Sequence, residues 1–175
     1  MSSFKPLLIN IEDKNFINPE DLTRLFFLYL RYSKYLDDDF AADGRSLLKY
    51  FTDNINKLSP YFWIVFDDET RKPAGFVYLD KITGDSKTLH NAEVSACFYK
   101  EFWGRFTYET AKIFFNFCFE KLGLIKIKAQ IYPQNFMVKT ILKKCGFKKE
   151  GYLKSETISG GKLQDIELYS LIKER

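Results

Sequence analysis

Ala92–Ala111 reads AEVSACFYKEFWGRFTYETA, and this stretch decides the fold. Ala92–Tyr99 has the apolar and small residues of a strand. Trp103-Gly104-Arg105 marks a tight turn, and a helix follows from about Thr107 to Leu122. Ala111, Phe114, Phe115, Cys118, Phe119 and Leu122 recur at helical spacing and form its apolar stripe. Thr107 is a good N-cap type and Gly123 a good stop. A strand that runs through a turn into a helix suits anion binding. The N–H groups of a helix's first turn point outward, and the helix dipole adds partial positive charge.

Working outward, Ile125–Tyr132 (IKIKAQIY) alternates as a half-buried strand does. Pro133-Gln134 turns the chain, and Asn135–Cys145 reads as a short helix closed by Gly146. Phe147–Leu153 and Asp165–Ile172 are strands, with a turn at Gly160-Gly161. Upstream, Tyr61–Phe66, Ala74–Ile82 and Ala92–Tyr99 form a meander, with a hairpin connection at Asp67–Pro73 and a loop at Thr83–Asn91. Phe4–Ile11 is a first strand. A helix opens at Pro19 with Leu22, Leu25, Phe26, Tyr29 and Leu30 on one face, and Ser46–Leu58 is another. Tyr32–Phe40 connects them and carries Asp37-Asp38-Asp39, an acidic run that is either solvated or attracts an amine. Seven strands and four helices in this order predict an α/β fold: a central, mixed but mostly antiparallel sheet flanked by helices.

The chain has 175 residues, which suits one domain over 1–175 with a sizeable core. Its aromatic content of 18% supplies large rings for that core. The net charge of +4 comes from interleaved charges rather than a basic stripe, which argues against nucleic acid as a partner. Cys97, Cys118 and Cys145 are far apart and His90 is the only histidine, so neither a metal site nor a Cys/His pair is expected. Packing thiols in a reducing, cytoplasmic setting are the reading. With no apolar run of membrane-spanning length, no membrane partner is expected.

Several short patterns share one order. Ala92-Glu93-Val94 is followed by Phe102-Trp103-Gly104-Arg105 and then Ala111. Further on come Tyr132-Pro133-Gln134-Asn135 and Gly146-Phe147. In this the chain resembles the GNAT superfamily of N-acetyltransferases, and within it the ribosomal-protein N-acetyltransferase branch. The resemblance implies an acyltransferase with acetyl-CoA as cosubstrate and an amine-bearing acceptor, either a protein N-terminus or a small molecule, acting as monomer or homodimer. It implies that the backbone of Ala96, Cys97 and Phe98 pairs with the pantetheine arm. The turn of Trp103, Gly104, Arg105, Phe106, Thr107 and Tyr108 then wraps the pyrophosphate, Asn135 contacts the cofactor, and Glu93 is the general base. The residue-level alternatives are plainer: Glu93 as a solvent-facing strand residue, Asn135 as a helix cap, Trp103 as packing at the sheet edge.

The chain also departs from the pattern. Phe106 and Tyr108 stand where the family places small residues, Val138 where it has serine, and Leu142 where many members carry a tyrosine. Glu109 puts negative charge near the expected helix start. The alternative function is therefore a degenerate GNAT-fold binding or assembly module, in which Phe106 and Tyr108 fill the pyrophosphate space.

Overall fold

The computed structural model describes residues 6–13, 17–36, 46–85 and 88–174. The order is β1 (Pro6–Asn10), α1 (Pro19–Leu36), α2 (Leu47–Leu58), β2 (Phe62–Asp67), β3 (Pro73–Gly84), β4 (Leu89–Phe98), α3 (Arg105–Glu120), β5 (Lys126–Ile131), α4 (Phe136–Lys144), β6 (Lys148–Ser159) and β7 (Lys162–Ile172). The strands form one sheet in the order β1-β2-β3-β4-β5-β7-β6. Among the described residues β4 with β5 is the one parallel pair and the rest are antiparallel, as the sequence predicts.

The core lies on both faces of this sheet, and β2 shows why its run is continuously apolar. Phe62, Ile64 and Phe66 pack with Leu25, Leu28 and Tyr29 of α1 and Phe51 of α2. Trp63 and Val65 point the other way, toward Phe106, Phe114 and Cys118 of α3. A strand covered on both faces has no polar side to alternate with. Each fully buried ring contributes about 1.5–3 kcal/mol over its exposed state.

Element ends differ from the sequence reading in four places. First, α1 continues to Leu36 because Tyr32 and Leu36 still pack on its core; the Asp37-Asp38-Asp39 run and Phe4 lie outside the described residues. Second, β3 and β4 reach Gly84 and Leu89, which shortens the expected loop. Third, β6 and β7 form a long hairpin closed by Gly160 and Gly161 at φ 62 and 69. Two residues at positive φ match the twist of a tight hairpin. Fourth, α3 starts at Arg105, not Thr107. Gly104 holds the N-cap position at φ 90, a conformation that favours glycine. The Thr107 hydroxyl donates to the Phe102 carbonyl at 2.7 Å, so it ties the turn down rather than capping the helix. No helix of the described residues is long and apolar enough to cross a membrane.

Candidate active site

The site begins where the sheet opens. β4 and β5 pair only through Asn91–Lys126, Ala92–Ile127 and Glu93–Lys128. Beyond Glu93 the two strands diverge, while β4 stays paired with β3 as far as Phe98. A cavity of about 750 Å³ fills the opening, lined by both diverging strands, the start of α3, α4 and the end of α1.

Strand alternation states which backbone groups face this opening. The Tyr99 N–H donates to the Ala74 carbonyl in β3 at 2.9 Å. Peptide groups alternate along a strand, so the Phe98 carbonyl points away from β3, across the opening. The same alternation turns the peptide groups of Val94 and Ala96 that way. The Phe98 carbonyl accepts the Trp103 indole N–H at 2.9 Å, which ends the open edge. Trp103 is half-exposed, lies 5.9 Å from the Tyr32 ring, and lines the cavity. Its packing and cavity-lining positions coexist.

Between Phe98 and α3, a short 3-10 turn covers Lys100–Phe102. Trp103, Gly104 and Thr107 line the cavity at the helix start. The Phe106 ring does not: it is 3% exposed and packs 4.9 Å from Phe102 and 6.4 Å from Phe98. Phe106, Thr110 and Phe114 head one buried stripe of α3. Tyr108 instead faces Lys112, whose ammonium lies 5.4 Å from its ring. Arg105 is exposed beside the turn. Glu109 falls in the second turn of α3 and pairs with Lys112 at 3.6 Å. At the other wall, Asn135 lines the cavity while its side chain accepts the Val138 N–H at 3.3 Å, capping α4. Val138 and Leu142 line the cavity as well.

At the opposite end sits Glu93, whose side chain is only 11% exposed. One oxygen lies 3.0 Å from the Lys81 ammonium and the other accepts the Gln130 amide at 3.0 Å. Glu93 is thus a buried, doubly held carboxylate on the cavity wall rather than a solvent-facing strand residue. Asp80, Glu156 and the rings of Tyr32, Tyr35 and Tyr78 line the same cavity. Cys97 lines it too, with its thiol pushed up to about 12 by burial, so it stays protonated and inert near neutral pH. His90 is exposed and lies outside the cavity lining.

The structure therefore gathers Glu93, Ala96, Cys97, Phe98, Trp103, Gly104, Thr107 and Asn135 around one cavity. The side chains of Arg105, Phe106 and Tyr108 stand outside its lining. Sequence reasoning passed over Asp80, Lys81, Gln130 and the three tyrosines. The one local signal for the first two is a charged Asp-Lys pair at the end of an apolar strand.

Comparison with known proteins gives the family and the fold. The acetyltransferase (GNAT) domain family matches residues 16–148. A Bacillus licheniformis protein described as the uncharacterized N-acetyltransferase p20 is 29% identical over 107 residues, 61% of this chain and 57% of that protein. The chain thus aligns with little more than half the length of that relative. Among solved structures, a GNAT-family acetyltransferase from Bacillus anthracis superposes with TM-score 0.75 at 17% identity, covering 99% of this chain and 98% of that one. Spermidine N-acetyltransferase from Vibrio cholerae, in complex with CoA and spermine, gives 0.75 at 21% identity, covering 95% of each. Ribosomal-protein-S5-alanine acetyltransferase from Vibrio fischeri gives 0.71 at 20% identity, covering 99% and 96%. At these identities the structures speak for the fold, and the family match over most of the chain carries the assignment: this protein belongs to the GNAT acetyltransferase family.

Proposed function

We propose that this chain, acting as one domain, transfers the acetyl group of acetyl-CoA to a primary amine by direct attack in a ternary complex, the amide C–N bond forming as the thioester C–S bond breaks and CoA leaves as the thiolate. The observation that carries the reading is one continuous cavity. It joins the start of α3, the unpaired edge of β4 and the buried carboxylate of Glu93. The residues present fit the cosubstrate. The peptide groups of Val94 and Ala96 offer an unpaired strand edge for the amide-bearing pantetheine arm. The start of α3 offers N–H groups and a positive dipole end to phosphates. Lys100 and Arg105, exposed beside it, add charge. Glu109 opposes this little, since it lies one turn along and is paired with Lys112.

When bound, acetyl-CoA supplies an activated thioester carbonyl. Everything else falls to the chain. Glu93 accepts the proton that the acceptor ammonium must lose before its nitrogen can attack, directly or through water. Backbone N–H groups along the open β4 edge polarise the carbonyl. Asn135 orders the α4 side of the cavity by holding the helix start in place.

The degenerate reading requires Phe106 and Tyr108 to fill the pyrophosphate space, and their packing speaks against it. The acceptor is either a small amine or a protein N-terminus; the Vibrio cholerae neighbour is a spermidine N-acetyltransferase and the Vibrio fischeri one a ribosomal-protein-S5-alanine acetyltransferase. Calorimetric titration with acetyl-CoA and with CoA tests the reading. Absence of binding at millimolar ligand removes it. At a hundredfold excess over Kd, a cofactor specific to the folded state raises stability by about 2.7 kcal/mol. Product mass spectrometry with spermidine and with an alanine-starting peptide then separates the acceptors.

A further inference from the structure

Lys139 stands one helical turn after Asn135, the N-cap of α4. Its side chain folds back along the helix, as helical side chains lean toward the N-terminus. The ammonium donates to the Pro133 carbonyl at 2.5 Å, and lies 3.4 Å from a Glu167 oxygen and 4.7 Å from the Phe136 ring. Glu167 belongs to β7 and pairs with Ile131, the last residue of β5, so the ion pair ties the β5–α4 turn to the sheet. Lys149 and Tyr169 fix Glu167 in turn. The side chains of Lys139 and Glu167 are only 14% and 11% exposed. Neither lines the cavity, whereas Tyr132, Gln134 and Asn135 of the tied turn do.

Stability is a weak reason for this arrangement. A buried ion pair gains little over apolar packing, because desolvating both charges offsets their attraction. A cation near the start of a helix also opposes the helix dipole, and ordering a lysine costs rotamer freedom. What the pair supplies is a fixed direction for the turn. We propose that Lys139 is a positioning residue for acetyl-CoA: its ammonium, backed by Glu167, sets the Tyr132–Asn135 turn so that Asn135 meets the cosubstrate on the α4 wall of the cavity. This rests on the acetyl-transfer reading above. The Asn135 Oδ1 is committed to the Val138 N–H, which leaves the amide NH2 as the donor for a carbonyl oxygen of the pantetheine arm. That donor is useful only if the turn holds it at hydrogen-bond distance. Lys139 touches no ligand and acts through Asn135.

Lys139→Met keeps an unbranched side chain and removes the charge. Glu167 retains Lys149 and Tyr169 in this variant, so no buried carboxylate is left unpaired. Thermal unfolding and acetyl-CoA calorimetry are run on the full chain for wild type, Lys139→Met, Asn135→Ala and the double variant. The expected results for Lys139→Met are a Tm within about 4 °C of wild type and an acetyl-CoA Kd raised about three- to tenfold. Added to Asn135→Ala, it should raise Kd no further. That non-additivity in Kd marks a residue acting through Asn135, and a purely structural role does not produce it. A wild-type Kd in Lys139→Met overturns the assignment, and so does an additive rise in the double variant. Where Lys139→Met lowers Tm further, Glu167→Gln decides instead. It keeps the ammonium, removes the charge behind it, and should raise Kd in the wild-type background but not in Asn135→Ala; an unchanged Kd in both overturns the assignment. Absence of acetyl-CoA binding by the wild type removes the acetyl-transfer reading and this assignment together. Binding by the wild type that the variants leave unchanged removes this assignment alone.

Discussion

The indole N–H of Trp103 ends on the carbonyl oxygen of Phe98 at 2.9 Å, bridging the end of β4 and the start of α3. The bond satisfies the last carbonyl of the open edge and fixes the turn that leads into Gly104. Trp103→Phe keeps a ring but loses the donor. A lost hydrogen bond of this kind costs about 0.5–1.5 kcal/mol. The expected outcome is a small fall in Tm together with a rise in the acetyl-CoA Kd of up to about tenfold, both read by calorimetry. An unchanged Kd means that the turn holds its shape without the indole.

Glu93→Gln tests the general base. The substitution preserves size, and removes both the charge and the ability to take a proton. A positioned acid–base group contributes about a hundredfold to ten-thousandfold in rate. Turnover should fall within that range while the acetyl-CoA Kd stays put, because Glu93 lies at the opposite end of the cavity from the start of α3. Stopped-flow turnover and an acetyl-CoA titration on the same preparation decide the matter. Near wild-type turnover assigns the proton to another group.

Phe106 carries a prediction about stability rather than catalysis. Its ring is 3% exposed among Phe98 and Phe102, so Phe106→Ala should cost about 3–5 kcal/mol by denaturant unfolding. Phe106→Leu refills most of that space and should bind acetyl-CoA as the wild type does. A large gain in affinity on shortening the side chain revives the idea that the ring blocks the pyrophosphate.

A pH dependence follows from Glu167. It receives hydrogen bonds from Lys149 at 2.8 Å and Tyr169 at 3.0 Å, with Lys139 at 3.4 Å. The bond from Lys149, most of all, holds its carboxyl below the usual range against the opposing effect of burial. A carboxyl depressed in the folded state stabilises the fold above its unfolded pKa, and that stabilisation is lost as pH falls through the folded one. Glu167→Gln should therefore lower Tm at neutral pH. The gap to wild type should close as the pH drops from about 5 toward and below the depressed pKa. Thermal scans across a pH series measure it, and a constant gap places the effect in packing instead.

Much of this fold was legible in local pattern. The alternation of Ile125–Tyr132 and the stripe of Ala111, Phe114, Phe115 and Cys118 each name an element without reference to any other. The strand-turn-helix around Trp103-Gly104 was legible because glycine at positive φ leaves a mark in sequence. Helix starts were less so. Thr107 is a good cap by type, yet Gly104 holds the N-cap position, so Arg105 and Phe106 belong to the helix instead of preceding it. Phe106 thereby falls on the buried stripe with Thr110 and Phe114 instead of in a turn before the helix.

Sequence alone therefore determined the order and kind of the elements, their apolar faces, and the family pattern from Ala92 to Phe147. Those are properties of neighbouring residues, set by periodicity and turn chemistry. Tertiary structure alone decided that β4 and β5 part after Glu93, that Trp103 closes on Phe98, and that Asp80 stands opposite Glu93 while Lys81 pairs with Glu93. Strand register and the register shift at Lys81 set these placements, and register depends on which distant residues pair, a quantity no local pattern contains.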